Sequence, residues 1–167
     1  VAFIAVTRDI TERKLVADQL HNVNEQLRLQ LAEIEKLQAI LHEQAIQDSL
    51  TGLYNRRFME EALKQEFARA KRGNQPFSVV MLDMDDLNIL NDKYGHAVGD
   101  IALKSLSKLL KDQTRIEDIV CRFGGDEFFI ILHNADEQMA SARLQEWSKR
   151  AQDILIVHEG MHLPISF

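Results

Sequence analysis

The sequence has little of several features that mark other classes of protein. Its 167 residues include one cysteine, Cys121, so an internal disulfide is excluded, and no Cys/His cluster has zinc-site spacing. Its longest apolar runs, such as Phe128 to Leu132, have strand length and are far too short to cross a membrane. Basic residues are not in excess, since 20 Lys+Arg against 26 Asp+Glu give a net charge of −6. Non-specific binding to nucleic acid or to an anionic membrane surface is therefore not expected.

Glycine and proline are absent from the first 51 residues, because all seven glycines and both prolines lie at or after Gly52. The strongest helix breakers are therefore missing from this stretch. Apolar residues recur there with heptad spacing and form what we call the heptad stripe: Leu20, Val23, Leu27, Ile34, Leu37 and Leu41. The pattern predicts a coiled-coil helix over residues 15–47 and favours a parallel homodimer. The alternative is a single amphipathic helix packed on its own domain.

Residues 1–14 have a different pattern. The apolar run from Val1 to Val6 has strand character and is followed by Asp9-Ile10-Thr11-Glu12-Arg13-Lys14. This stretch resembles the end of a PAS sensor domain, whose closing strand leads into a linker helix. The resemblance implies that the rest of the sensor precedes Val1.

From Asp48 onward, helix and strand signals alternate. Helices are predicted over about 53–72, 87–93, 97–110 and 136–152, and strands over 77–83, 119–123, 127–132, 154–157 and 163–167. Gly124 and Gly125 separate two of these strands and predict a hairpin. With 46% hydrophobic residues the chain can bury a core, and the order of elements predicts an α/β sandwich with an antiparallel hairpin in its sheet.

Acidic residues follow two of the predicted strands. Asp83 and Asp85 end the strand that begins at Phe77, and Asp126 and Glu127 come just after the two glycines. If the strands are neighbours, the carboxylates meet at one edge and present the hard oxygen ligands that Mg²⁺ prefers. Each group also has a local explanation: Gly124-Gly125-Asp126-Glu127 as an ordinary hairpin turn, and Asp85-Asp86 as an N-cap of the next helix.

The segments beside these carboxylates suit a phosphate ligand. Backbone amides that open the helix after Asp86, beginning at Leu87, form a natural phosphate cradle. Gly124 and Gly125 allow a nucleotide to approach the main chain closely. Together with the acidic strand ends, they indicate phosphoryl or nucleotidyl transfer.

Four ordered motifs resemble those of the GGDEF family of diguanylate cyclases. They are Asp48-Ser49-Leu50-Thr51-Gly52-Leu53-Tyr54-Asn55-Arg56-Arg57; Asp83-Met84-Asp85 through Asn91-Asp92; Gly95-His96-Ala97-Val98-Gly99-Asp100; and Arg122-Phe123-Gly124-Gly125-Asp126-Glu127-Phe128. The resemblance covers residues 48–167. It implies a nucleotidyl-cyclase-like, ferredoxin-like sandwich behind the coiled-coil helix, with the C-terminal part of the domain missing.

The resemblance implies an enzyme that joins two GTP molecules into cyclic di-GMP and releases two pyrophosphates. Each domain of a dimer would hold one GTP, and each 3′-hydroxyl would attack the α-phosphorus of the other. Asp83, the main-chain carbonyl of Met84 and Asp126 match the family's ligands for Mg²⁺, with Mn²⁺ as the alternative ion. Glu127 matches a position that either binds a second ion or helps to deprotonate the attacking hydroxyl.

Further roles are implied for substrate and product. Asn91 and Asp100 match the family's guanine-reading residues, and a carboxylate accepts hydrogen bonds from guanine N1 and N2 that adenine does not offer. Gly124, Gly125 and the main chain at Asp86 and Leu87 would line the nucleotide. Arg115-Ile116-Glu117-Asp118 matches a product-inhibition motif that binds cyclic di-GMP. In it, Arg115 would grip phosphate or guanine, and Asp118 would orient that arginine or accept from guanine.

The sequence departs from the family pattern at two positions. Leu87 stands where phenylalanine is common, and Asn88 where a lysine is usual. Loss of that cation would weaken charge stabilisation at the phosphates. The alternative function is therefore a catalytically impaired module that binds GTP or cyclic di-GMP and regulates a partner or a downstream domain. A third interpretation is a fragment whose role is dimerisation. The resemblance implies a bacterial cytoplasmic setting and leaves open a membrane tether upstream.

Overall fold

The computed structural model describes the backbone of residues 2–73, 75–158 and 161–167. Within these ranges it describes the side chains of residues 14, 17–73, 75–157 and 163–167. The chain divides into two units, residues 1–45 and residues 46–167. Among the described helices, none combines the length and apolar character needed to cross a bilayer.

The first unit is built on one long helix, α1, which spans Ala2–Ile46. Its heptad stripe is exposed, with 49–64% of each residue accessible. The predicted helix over residues 15–47 is confirmed up to Ile46, whereas the predicted strand is wrong for Ala2 to Val6, which are helical. Helix propagation is favourable once a helix is nucleated, and no glycine or proline interrupts this stretch. The PAS interpretation of residues 1–14 rested on that strand and stays a prediction.

The second unit alternates helices and strands. They are β1 (Tyr54–Asn55), α2 (Arg56–Gly73), β2 (Phe77–Asp83), α3 (Leu87–Tyr94), α4 (His96–Gln113), β3 (Ile119–Gly124), β4 (Glu127–His133), α5 (Glu137–Gln152), β5 (Leu155–His158) and β6 (Met161–Pro164). The predicted elements are confirmed within a few residues, apart from the last strand, which ends at Pro164 rather than Phe167. The strand β1 was not predicted. Asn55 then caps α2, because its Oδ1 accepts a hydrogen bond from the Phe58 amide at 3.0 Å.

Four strands form one mixed sheet in the order β1-β3-β4-β2, and β5 pairs with β6 in a separate two-stranded sheet. β1 is parallel to β3, while β3 and β2 both pair with β4 antiparallel. The predicted hairpin at Gly124 and Gly125 is therefore confirmed. β2 and β4 stay in register from Phe77 opposite His133 to Asp83 opposite Glu127.

The two faces of this sheet pack against different helices. Alternate residues of β2 and β4, such as Leu82 and Phe128, form a core with α4 and α5 that includes Trp147. On the other face, Cys121 and Ile131 pack against α2. Each fully buried Leu, Ile or Phe side chain contributes about 1.5–3 kcal/mol to folding. Packing of helices on both faces of the sheet therefore fixes the position of the edge at which β2 and β4 end.

Candidate functional site

The acidic strand ends lie together at one edge of the sheet. Asp83 is paired with Glu127 across β2 and β4, and the Met84 amide donates a hydrogen bond to the Asp126 carbonyl at 3.0 Å. Directly opposite residues of an antiparallel pair point to the same face, so the Asp83 and Glu127 side chains leave the sheet on one side. Neighbouring strands therefore bring the backbones of the two acidic groups together, as expected, while Asp83 and Asp126 line different cavities.

The loop after β2 turns sharply at Asp86. Its φ of 56° is left-handed, a conformation that Asp tolerates better than most residues, and its side chain makes no capping hydrogen bond to α3. The side-chain N-cap considered for Asp86 is therefore wrong. Met84 and Leu87 are buried and anchor the loop on the core. The Asp85 amide donates to the Ser166 carbonyl at 3.0 Å, which ties the loop to the C-terminal segment.

A cavity of about 280 Å³, which we call the acidic pocket, opens beside this loop. It is lined by residues from three of the predicted motifs, among them Leu87, Asn88, Asn91, Asp100, Gly125 and Asp126. The structure thus brings the two predicted guanine-reading residues to the same cavity as one predicted metal ligand. Asp83, Met84, Asp86, Gly124 and Glu127 do not line this cavity.

Asn91 has an unused hydrogen-bonding atom. Within the described part of the chain, its Oδ1 is buried and has no hydrogen-bond partner. More than nine in ten buried polar groups in proteins are paired, so an unpaired acceptor on a residue that lines a cavity makes Asn91 a candidate ligand-binding residue.

Arg122 also lines the acidic pocket, and its role was missed by sequence reasoning. Its Nε and Nη2 donate to the Gly125 carbonyl at 2.9 and 2.7 Å, and its Nη1 lies 3.3 Å from Asp48 Oδ1. Asp48 in turn accepts from the amide and hydroxyl of Thr51, at 2.9 and 2.7 Å. The signal in the sequence was a single cation placed two residues before the glycines of an acidic turn.

This network changes the acidity of Asp48. Burial alone opposes ionisation of the carboxyl, but the hydrogen bonds from Thr51 and the Arg122 guanidinium outweigh it and lower the pKa of Asp48 below its ordinary 3.8. Burial, together with the charge of Asp48, raises the pKa of the Cys121 thiol to about 12. Cys121 is therefore protonated and inert at neutral pH, as expected of a small buried side chain.

The donor set at the strand ends fits Mg²⁺ or Mn²⁺. Asp83 is exposed, and Asp126 and Glu127 are partly exposed, so hard oxygen atoms face solvent at one edge. Over the described residues, no group of three or more His, Cys, Asp or Glu side chains forms a ready metal cage. Mg²⁺ typically binds through one or two carboxylates and completes its shell with waters and substrate phosphates. Such a site needs no cage of protein side chains.

The predicted product site is only partly at the surface. Arg115 is exposed, but the Asp118 side chain is fully buried. Its Oδ2 accepts from the Arg115 amide at 2.9 Å and from Arg143 Nη2 at 2.7 Å, and its Oδ1 accepts from the His133 amide at 3.1 Å. The buried Asp118 carboxylate therefore holds the Arg115 backbone and pairs with the Arg143 guanidinium, and it offers no surface for direct contact with guanine. A cavity of about 400 Å³ lies beside Arg115 and is also lined by Lys111.

The sheet and the acidic pocket define an α/β domain in which Gly125 of the glycine turn, the acidic residue Asp126 and Asn91 with its unpaired acceptor line one cavity. The chain belongs to the family described as diguanylate cyclase, GGDEF domain, whose sequence model matches residues 45–167.

Relatives and solved structures agree with this assignment. DosC, a diguanylate cyclase of Escherichia coli (strain K12), is 37% identical over 134 residues, which cover 78% of this chain and 29% of DosC. DgcC of the same strain, a probable diguanylate cyclase, is 33% identical over 140 residues, covering 84% of this chain and 34% of DgcC. The chain therefore spans about a third of each of these curated relatives.

The fold matches solved structures. The coiled coil and GGDEF domain of DgcB from Caulobacter crescentus, in complex with c-di-GMP, superimposes with a TM-score of 0.75 at 23% identity, over 86% of this chain and 78% of that one. Diguanylate cyclase SiaD of Pseudomonas aeruginosa, in complex with its activator SiaC, gives a TM-score of 0.72 at 27% identity, over 98% of this chain and 64% of that one. These likenesses confirm the predicted α/β fold with a long N-terminal helix.

Proposed function

We propose that this chain is the catalytic part of a diguanylate cyclase that condenses two GTP molecules into cyclic di-GMP and two pyrophosphates. The observation that carries the proposal is the acidic pocket, in which Asn91 and Asp100 face the same cavity as Asp126. Asn91 and Asp100 suit a base with hydrogen-bond donors, and Asp126 suits phosphates with a bound cation.

Guanine fits the base end. The Asp100 carboxylate accepts hydrogen bonds from guanine N1 and N2, and Asn91 Oδ1 supplies a further acceptor. Adenine offers no donor pair of this kind, so a pocket with two acceptors selects GTP over ATP. Gly125 has no side chain to hinder the ribose and phosphates from reaching the main chain.

The phosphate end uses the strand edge. Asp83, Asp126 and the Met84 carbonyl would hold Mg²⁺ or Mn²⁺, which supplies charge neutralisation at the α-phosphate and the pyrophosphate leaving group. Glu127 either contributes to a second ion or accepts the proton of the attacking 3′-hydroxyl. Amides that open α3 after Asp86 donate to phosphate oxygens.

Two such pockets must meet, because each chain supplies one and the reaction joins two nucleotides. The exposed heptad stripe of α1 supports a parallel coiled-coil homodimer as the connection. Joining the domains raises the effective concentration of one pocket at the other. In this proposal the protein acts in a bacterial cytoplasm, with a sensor domain upstream of α1 controlling the approach of the two pockets.

Product feedback is the second part of the proposal. Arg115 is an exposed cation beside the 400 Å³ cavity. The buried Asp118 carboxylate accepts a hydrogen bond from the Arg115 amide and so holds the backbone there. A guanidinium of this kind binds phosphate and guanine edges through paired hydrogen bonds. We assign the inhibitory cyclic di-GMP site to Arg115, with Asp118 as its support.

A binding module without turnover is the second candidate function, and Asn88 favours it. This residue lines the acidic pocket as a neutral amide where the family usually has a lysine. Without that cation, less charge opposes the phosphates in the transition state, so catalysis loses more than binding.

The deciding experiment incubates the protein with GTP and Mg²⁺ and separates the nucleotides by chromatography. Asp126→Asn removes a carboxylate of the site, and Asp112→Asn makes the same change at an exposed position of α4. A cyclase forms cyclic di-GMP in the wild type and in Asp112→Asn, with at least a 100-fold loss in Asp126→Asn. GTP binding without product selects the binding module, and no nucleotide binding in the wild type overturns both candidates.

A further inference from the structure

Gly99 occupies a buried position near the start of α4, where a side chain has no room. A Cβ built there collides with Asn91 Oδ1, lies 2.9 Å from Asn91 Cγ and lies 3.3 Å from Leu87 Cδ1. The amide group of Asn91 therefore fills the space that any other residue at position 99 would take.

The backbone gives no reason for glycine at this position. The described glycines with positive φ are Gly52, Gly95 and Gly125, whereas Gly99 is within regular helix. Glycine is a poorer helix former than alanine, since it loses more conformational freedom on folding. Alanine at position 99 would stabilise the helix more than glycine does. The reason for glycine is therefore the neighbouring Asn91 side chain.

The neighbour is the residue with the unused acceptor. Asn91 Oδ1 is buried and unpartnered within the described residues, and Asn91, Gly99 and Asp100 all line the acidic pocket. The position of the Asn91 acceptor therefore depends on the lack of a side chain at position 99.

We propose that Gly99 is a specificity-determining positioning residue, which leaves the space that holds the Asn91 amide toward a guanine base. The proposal rests on the proposed function, because it names what keeps the guanine-reading acceptor in place. It assigns Gly99 no contact with the nucleotide. Position 99 then affects nucleotide binding only through the position of the Asn91 amide.

A methyl group at position 99 should displace Asn91 and leave the helix intact. The collision is with the far end of a side chain, so rotation of Asn91 relieves it at lower cost than a shift of α4. Binding of GTP then loses the hydrogen bond to Asn91, a loss of about tenfold in affinity. Binding of ATP, which does not use that acceptor, stays as weak as before, so the preference for guanine falls by the same factor.

The test measures equilibrium binding of 3′-deoxy-GTP and 3′-deoxy-ATP, which lack the attacking hydroxyl and are not consumed. The variants are Gly99→Ala, Asn91→Ala and the double variant Asn91→Ala/Gly99→Ala. Ala97→Ser is the matched control, because it adds one atom at an exposed position in the first turn of the same helix.

The proposal expects a loss of about tenfold for 3′-deoxy-GTP in Gly99→Ala and in Asn91→Ala, no further loss in the double variant, and wild-type binding in Ala97→Ser. Unchanged guanine preference in Gly99→Ala overturns it, as do additive losses in the double variant. Should Gly99→Ala unfold, recovery of the wild-type unfolding temperature in the double variant supports the steric contact, and no recovery overturns it. Failure of the wild type to bind 3′-deoxy-GTP is a different result, which overturns the proposed function itself.

Discussion

The guanidinium of Arg122 donates two hydrogen bonds to the main-chain carbonyl of Gly125, from Nε at 2.9 Å and from Nη2 at 2.7 Å. Gly125 has a φ of 51° and lies between the two hairpin strands that carry the acidic site. The shape of this turn therefore depends on a cation on the preceding strand. Because Arg122 also pairs with Asp48 at the start of the domain, the turn is held through two successive polar contacts.

Arg122→Lys should lower turnover at least tenfold, because an ammonium group cannot span the Gly125 carbonyl and the Asp48 carboxylate as the planar guanidinium does. The rate of cyclic di-GMP formation and the unfolding temperature should be measured together. Arg57→Lys, at an exposed position of α2, is the control and should match the wild type in both. Wild-type turnover in Arg122→Lys would show that the turn keeps its shape without this contact.

The lowered pKa of Asp48 predicts a loss of stability at acid pH. The ionised carboxylate is favoured in the folded state, so it contributes stability above its unfolded pKa, near 3.8, and that contribution disappears as pH falls through the still lower folded pKa. Denaturant unfolding of the wild type and of Asp48→Asn should be compared at neutral pH and down to pH 3. The gap between their free energies of unfolding should narrow toward acid pH, whereas a constant gap contradicts the prediction.

Arg115→Ala should abolish inhibition by cyclic di-GMP and leave the initial rate with GTP unchanged, because the proposed product site uses this exposed side chain, which does not line the acidic pocket. Asp118→Asn should instead lower the unfolding free energy by about 2 kcal/mol, since its buried carboxylate accepts from the Arg143 guanidinium. Initial rates at rising product concentration and denaturant unfolding separate the two effects. Inhibition retained in Arg115→Ala places the product site elsewhere.

Leu27→Lys should weaken the proposed coiled-coil dimer at least tenfold, since a charge in the seam of a parallel coil is costly. Gln26→Lys adds the same charge one position outside the heptad stripe and should leave assembly unchanged. Sedimentation and turnover per chain at low protein concentration are the measurements. Equal turnover of Leu27→Lys and wild type at high dilution would mean that the coil does not bring the pockets together.

Glu66 and His133 form a buried pair between α2 and β4, with Glu66 Oε2 2.7 Å from His133 Nε2. Glu66→Leu leaves the imidazole buried without that partner and should cost about 3 kcal/mol of unfolding free energy. Replacing both residues by leucine should recover most of the loss, because neither position then buries an unpaired polar group. Denaturant unfolding measures both, and an additive loss in the double variant contradicts this account.

Most elements of the second unit could be predicted because their signals are local. β2 has the bounds that its apolar run and Pro76 predict, and the hairpin follows from its two glycines. β1 could not be predicted, since two residues have no periodicity and its partner residues are Cys121 and Arg122, far along the chain. The strand predicted at the start of the chain failed for a related reason: a short apolar run suits a strand or a helix equally, and its uninterrupted continuation to Ile46 decided for the helix.

The residue types of the candidate site were determined by the sequence alone: its acidic strand ends, its glycine turn and the pair of residues predicted to read guanine. Only the tertiary structure decided that Asp118 is buried, that Arg122 holds the Gly125 carbonyl and that Gly99 makes room for Asn91. The physical reason is the distance along the chain over which each effect acts. Propensity and periodicity act between neighbours in the chain, whereas burial and hydrogen-bond geometry depend on which surfaces the packed sheet and helices bring together.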